Sequence, residues 1–150
     1  MKLALALTER SDLQKRLDQL EDRLQSNALV QEGETPAEDP ASLLAELDTL
    51  TGQLTDLITR INLTNANTVA DGLPLTAWLA RRDCLTQKIR RMRHFLNTAS
   101  QTAMRSRGSE IKIRPTVPVR ELQKGLDDLS RELREIDARI QEANWSTDLL

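Results

Sequence analysis

The sequence contains two pairs of carboxylates, Glu9 with Asp12 and Glu132 with Glu135, and the two members of each pair are three residues apart. On a helix each pair lies on one face, and helical carboxylate metal sites combine such residues with a Glu-x-x-His motif. The single histidine, His94, has no Glu at that spacing. Pairs of this kind are also expected in any Glu-rich, solvent-exposed helix. The sequence therefore predicts no metal site.

A nucleophilic enzyme is equally poorly supported. Cys84 is the only cysteine, and a catalytic cysteine needs a base. The only histidine lies ten residues further on, almost three turns along the same predicted helix. No Gly-rich phosphate loop or zinc-ligand spacing occurs. We therefore predict no catalytic residue and no cofactor, and the sequence favours a non-enzymatic protein.

Polar residues at or beside apolar helix positions are the remaining candidates for binding. An arginine among apolar residues must be paired or reach solvent, because burying it alone is costly. In one interpretation such residues only fix helix register and subunit number. This interpretation covers Arg10, Asn27, Asn62, Asn65 and Arg82. In the other, a small polar ligand pocket is lined by Arg10, Asn62, Asn65, Arg82 and Asp83.

Four segments with apolar residues at alternating spacings of three and four must position these side chains. The pattern predicts helices over about residues 2–28, 40–65, 75–105 and 119–143. Asp39 before a proline marks the start of the second helix, as its N-cap. The sequence thus predicts an all-α protein with a single domain over its full length. Its four long antiparallel amphipathic helices form a bundle or paired coiled-coil hairpins.

The segment 110–119 departs from the helical pattern. Apolar and basic residues alternate from Ile111 to Arg114, as they do in a strand. Pro115 and Pro118 exclude a long central strand, because proline cannot donate to the ladder. We predict a short extended or β-hairpin-like segment there.

Charge is divided between two parts of the chain. Residues 31–59 contain seven acids and no Lys or Arg, whereas residues 81–114 contain ten basic residues and two acids. The two segments can pair within one chain or between subunits. Alternatively, the basic third helix binds nucleic acid or another polyanion. Stacking on bases needs aromatic side chains, and the chain has only Trp78, Phe95 and Trp145; pairing is therefore favoured.

The composition indicates a protein of the cytoplasm. The chain has 150 residues and a net charge of −2. One cysteine cannot form a disulfide within the chain, and no stretch approaches the ~20 apolar residues of a membrane span. The apolar run at residues 1–7 is too short for a signal peptide. We predict a cytoplasmic location and no membrane partner.

Several short motifs follow one another in a fixed order along the whole chain. They are Leu13-Gln14-Lys15-Arg16, Asn27-x-x-Val30-Gln31-Glu32-Gly33-Glu34, Pro36-Ala37-Glu38-Asp39-Pro40, Arg60-Ile61-Asn62-x-Thr64-Asn65, Arg82-Asp83, Ser109-Glu110-Ile111-Lys112, Leu122-Gln123-Lys124 and Asn144-Trp145-x-Thr147-x-Leu149-Leu150. In these motifs the chain resembles the DIP1984 family of small bacterial proteins, some of which are labelled septicolysin. The resemblance implies a bacterial helical protein of unknown function. The toxin-like label has no support from a spanning segment or secretion signal in this sequence.

Self-association is the function that the sequence favours. The first two helices carry apolar residues beside their heptad positions, and a wide apolar stripe can serve a second contact surface. These residues are Leu5, Leu7, Leu44, Ile58 and Leu63. We predict a non-enzymatic structural or interaction protein that forms homo-oligomers through its heptad-patterned helices. The alternatives are the polar ligand pocket and polyanion binding by the third helix.

Overall fold

A computed structural model describes residues 1–102 and 111–150. These residues form four helices and one two-stranded sheet. In chain order the elements are α1 (Leu3–Ser26), α2 (Pro40–Asn67), β1 (Val69–Ala70), β2 (Leu73–Pro74), α3 (Leu75–Ala99) and α4 (Val119–Ser146). The all-α fold class with four long helices and a short hairpin is confirmed.

The helix ends follow local hydrogen bonding. Asp39 caps α2 as predicted, since its carboxylate accepts from the backbone N–H groups of Ala41 and Ser42. The helix then runs two residues past its predicted end, and α4 runs three residues past its own. Predicted helix three ends earlier, at Ala99; residues 103–105 of that prediction lie outside the described residues.

The short hairpin lies between α2 and α3. Strands β1 and β2 pair through a turn at Asp71 and Gly72, whose φ angles are 49° and 78°. Consecutive residues with positive φ make the tight turn that suits a two-residue hairpin. Residues 111–118 form no strand, whereas Glu110 lies outside the described residues; an extended conformation of this segment stays a prediction.

The contacts of the chain divide it into two compact units. Unit 1 comprises Met1–Val69 and Ala143–Leu150, and unit 2 comprises Ala70–Glu142. Each unit is built around one pair of helices. A single domain over residues 1–150 stays a prediction.

In unit 1, α1 and α2 pack as an antiparallel pair, because Arg23 in the last turn of α1 bonds Glu46 near the start of α2. The buried positions recur every seven residues, as the heptad pattern predicts. On α1 they include Ala6, Leu13 and Leu20, followed by Asn27 at its C-cap, and on α2 Leu43, Leu50, Leu57 and Thr64. Seven-residue spacing of buried residues on both helices makes one continuous contact between them.

The C-terminal residues complete unit 1 by docking on the start of α1. The Leu3 N–H donates to the Thr147 carbonyl over 3.0 Å, and the Leu149 N–H donates to the Met1 carbonyl over 2.8 Å. Lys2 pairs with Asp148 at 3.0 Å. The first N–H groups of a helix lack partners within it, so this segment supplies an acceptor to α1.

In unit 2, α3 and α4 are also antiparallel. Arg139, near the end of α4, lies over the ring of Trp78, near the start of α3. Ile89 and Leu96 of α3 form a buried cluster with Leu126 of α4. Half-buried apolar residues pack against this cluster, namely Leu85, Met92, Val119, Leu122, Leu129 and Leu133.

Candidate functional site

Unit 2 has a groove between α3 and α4, with a volume of about 500 Å³. Its apolar lining comes from Trp78, Leu85 and Ile136. Arg81, Cys84 and Lys88 line it from α3. Glu132, Glu135 and Arg139 line it from α4. The groove therefore has an apolar floor between two rims of charged side chains.

Trp78 is fixed at one end of this groove. It is only 6% exposed, and its indole N–H donates to the Ala70 carbonyl over 2.8 Å. The guanidinium carbons of Arg81 and Arg139 lie 5.3 and 5.1 Å from the ring centroid, within cation–π range. Arg139 also pairs with Asp71 at 2.8 Å. These contacts fix the position of the Trp78 side chain.

The two rims of the α3–α4 groove carry opposite charge. The α3 rim presents Arg81 and Lys88, and the α4 rim presents Glu132 and Glu135. Among residues 1–102 and 111–150, none of these four side chains forms an ion pair. The charges are therefore available to a partner.

The α3 rim of the groove includes a thiol. Cys84 is an exposed free thiol on the α3 rim, without a histidine among the lining residues. In the part of the chain that the structure describes, no three His, Cys, Asp or Glu side chains come close enough to hold a metal ion. The groove offers shape and charge for binding.

Unit 1 has a second groove, between α1 and α2, with a volume of about 350 Å³. Leu17, Leu24 and Leu47 form its apolar lining, and all three are half-buried. We call residues that recur every seven positions on one helix a heptad column. Leu17 and Leu24 belong to the second heptad column of α1, which lies beside the buried column of Leu13 and Leu20. Its polar lining consists of Asp18, Glu21 and Thr51.

The predicted pocket residues divide between the two units. Arg10, Asn62 and Asn65 belong to unit 1, whereas Arg82 and Asp83 belong to unit 2. Asn65 is buried and Asn62 is exposed. Arg82 and Asp83 are brought together, since they form an ion pair at 2.8 Å. A ligand pocket lined by all five residues stays a prediction.

Arg10 is the predicted residue with the most unusual surroundings. It is half-buried on α1, in the same heptad column as Leu17. Its Nε atom is buried and has no hydrogen-bond acceptor within the described ranges 1–102 and 111–150. A buried N–H without an acceptor costs about 1–3 kcal/mol. The Nε–H group of Arg10 therefore lacks a hydrogen-bond acceptor in the described residues.

Asn27 has a local structural role. Its side-chain oxygen accepts from the Glu38 N–H and its amide donates to the Arg23 carbonyl, both over 2.9 Å. Arg23 in turn binds the Glu38 carboxylate at 2.6 Å and that of Glu46 at 3.2 Å. The Arg23 hydrogen bond lowers the pKa of Glu38 below its ordinary value of 4.5. Asn27 thus ties the end of α1 to the segment that precedes α2.

The groove residues of unit 2 were not predicted as a site. Glu132 and Glu135 were considered only as metal ligands, and Arg81 and Lys88 only as part of a basic helix. The sequence feature that could have indicated this site is the position of the four charged residues beside the heptad columns. Arg81 and Lys88, for example, are seven residues apart. Charges at such flanking positions set partner choice in helical assemblies.

Comparison with known proteins places the chain among bacterial proteins of unknown function. A model of a family of unknown function, DUF6847, matches residues 10–149. The chain belongs to the DUF6847 family. Its fold is similar to the crystal structure of a functionally unknown conserved protein from Corynebacterium diphtheriae, with a TM-score of 0.93 and 38% identity. That match covers 100% of this chain and 99% of the other.

Membership of the DUF6847 family assigns no activity to the chain. No curated protein matches it. The predicted relation to a bacterial family of unknown function is confirmed in substance, whereas the DIP1984 name and the septicolysin label find no support in these matches. None of the helices in the described ranges is long and apolar enough to span a bilayer.

Proposed function

We propose that this protein is a non-enzymatic interaction protein that self-associates through its heptad-patterned helices. One observation carries the proposal. The pairing of α1 with α2 buries one heptad column of each helix, whereas Leu17, Leu24 and Leu47 of the second columns are only half-buried around the leucine groove. In a helical bundle both columns are covered by neighbouring helices.

The exposed apolar surface of unit 1 gives self-association a driving force. Complete burial of one leucine side chain contributes roughly 1.5–3 kcal/mol, and several leucines of α1 and α2 retain part of that. Leu5, Leu44 and Leu63 are 48%, 52% and 52% exposed. The extra apolar residues predicted beside the heptad columns thus provide additional contact area for a second copy.

Substitution inside the leucine groove tests the proposal. Leu17→Gln combined with Leu24→Gln places two amides where a partner helix would exclude water, so the sedimentation mass should fall toward 17.0 kDa. Leu29→Gln is the matched control, because Leu29 is 90% exposed outside the helices. Circular dichroism confirms that each variant remains helical. A wild-type mass of 17.0 kDa at every concentration would overturn the proposal.

The missing hydrogen-bond acceptor of the Arg10 Nε favours a second candidate function, the binding of a small polar ligand. A carboxylate or phosphate oxygen would satisfy its Nε, and buried Asn65 is a second polar residue of unit 1. The two functions differ in mass action. Ligand binding stabilises the protein by an amount that grows with the logarithm of ligand concentration, whereas self-association stabilises it by an amount that grows with the logarithm of protein concentration.

A further inference from the structure

We propose that the α3–α4 groove of unit 2 binds the same face of a second copy, with α3 of one copy lying antiparallel on α4 of the other. The inference rests on the proposed self-association and names a contact surface and a symmetry for it. The groove face is defined by its floor residues Trp78, Leu85 and Ile136 and by its charged rims.

The floor of the groove face continues along both helices as an apolar strip. Leu85 and Met92 of α3 and Leu122 and Leu129 of α4 are each only half-buried. They lie at seven-residue spacing, so they form rows along the face. Rows of this kind are covered by the facing helices when two helical hairpins assemble into a four-helix bundle.

The charged rims of the groove face are complementary to each other. Arg81 and Lys88 make the α3 rim basic, and Glu132 and Glu135 make the α4 rim acidic. Arg139 is the exception on the α4 rim, but it already pairs with Asp71 at 2.8 Å. A partner of this face therefore needs an apolar strip with acids on one side and bases on the other. A second copy of the same face has that arrangement.

The charges also select between two symmetric packings. In a two-fold dimer the same patch occurs on both sides of the contact. With the axis across the helices, α3 would lie on α3, and like charges would meet. With the axis parallel to the helices, α3 lies on the partner's α4, and opposite charges meet.

The register of the second packing follows from the groove itself. Since Arg81, Lys88, Glu132 and Glu135 line one groove, they lie at similar heights along the helices. A two-fold axis parallel to the helices preserves those heights. Arg81 and Lys88 therefore come opposite Glu132 and Glu135 of the second copy without any sliding of the helices. Neighbouring helices in the assembly are all antiparallel.

Charge reversal tests this arrangement. One variant carries Arg81→Glu with Lys88→Glu, and the other carries Glu132→Lys with Glu135→Lys. In each variant both rims have the same sign, so two identical copies repel at both α3–α4 contacts. Each variant alone should sediment at a lower mass than the wild type, in about 0.1 M salt where close charges still interact.

Mixing the two variants is the decisive step. Each α3 rim of one variant is opposite in charge to the α4 rim of the other, so an equimolar mixture should recover the wild-type mass. Repulsion within a single chain would persist in the mixture, which separates contact between chains from loss of folding. Arg90→Glu with Arg93→Glu is the matched control on α3, since both residues are exposed and neither lines the groove.

The outcomes separate this face from self-association in general. Loss of mass in both variants and recovery on mixing support the two-fold packing. A wild-type oligomer that neither reversal alters would overturn the groove face but leave the proposed function standing. Loss of mass without recovery on mixing would also overturn it. A wild type that is monomeric at about 100 µM, a concentration at which even micromolar dimers form, would overturn both.

Discussion

The surroundings of Arg10 are not explained by the helix to which it belongs. The helix around it is an ordinary amphipathic helix, with Ala6 and Leu13 buried on either side. The Nε atom of its guanidinium is buried without an acceptor in the described ranges. A residue in this state either lowers stability or is satisfied by an acceptor outside the described residues.

Replacement of Arg10 by methionine separates these two possibilities. Methionine keeps most of the length of the side chain and removes the unsatisfied N–H, so the free energy of unfolding should rise by about 1 kcal/mol. Urea denaturation of the purified protein measures the change. Arg16→Met on the exposed side of the same helix is the control and should change stability little. A loss of stability in Arg10→Met would mean that the guanidinium has an acceptor, from a ligand or a second copy.

The candidate site was only partly predictable from residue types. The sequence identified Arg10 and Asn27 as polar residues in apolar columns, and both have distinctive surroundings in the structure. It did not identify the groove between α3 and α4, because a groove depends on which columns two helices share. Heptad positions give the rows of each helix, whereas the distance between rows of different helices depends on packing.

At the scale of elements, the connection between α1 and α2 is held by charge as well as by apolar contact. Arg23 bonds Glu38 in the connection and Glu46 in α2, and Asn27 bonds the Glu38 N–H. Two of the seven acids of the acidic segment therefore pair with α1. Side chains about 40% exposed are screened by solvent, so this network positions the connection more than it stabilises the fold.

The network predicts a specific response to acid. The pKa of Glu38 is lowered in the folded protein, chiefly by the Arg23 hydrogen bond, so its stabilisation is present above the ordinary value and disappears as pH falls through the lowered pKa. Glu38→Gln should therefore lower Tm at pH 7, and the difference from wild type should shrink below pH 4.5. Calorimetry across this range measures it. Glu34→Gln, at an exposed residue of the same connection, should show no such change.

The helices themselves were the most predictable elements. Their number and order follow from the heptad spacing, and the start of α2 follows from the Asp39 cap. The ends were less predictable, because the heptad spacing does not specify the last backbone hydrogen bonds of a helix; the Thr147 N–H, for example, extends α4 by donating to the Ala143 carbonyl four residues back. The alternation at Ile111–Arg114 was ambiguous because a strand needs a partner, and the described chain pairs strands only at β1 and β2.

At the scale of the molecule, two properties of the units favour assembly. Each helix pair buries one side well, and each has a groove with half-buried apolar residues beside it. The grooves differ in chemistry, since the leucine groove of unit 1 has an acidic border and the groove face of unit 2 has rims of both signs. A face with both signs is self-complementary, so charge can direct the pairing of two copies through unit 2. Specific pairing of copies is therefore better explained by unit 2, and additional apolar contact by unit 1.

Self-association predicts that thermal stability depends on protein concentration. Mass action stabilises an associated native state but not the unfolded chain. For a dimer of 150-residue chains, the unfolding enthalpy implies a rise in Tm of about 2 °C for each tenfold increase in concentration. Scanning calorimetry and fluorescence from about 1 to 100 µM, which spans typical micromolar dissociation constants, should therefore show a shift of about 4 °C. The Leu17→Gln/Leu24→Gln variant should show a smaller shift, because its native state gains less from association. A wild-type Tm that stays constant across this hundredfold range would mean that the native state is the single chain.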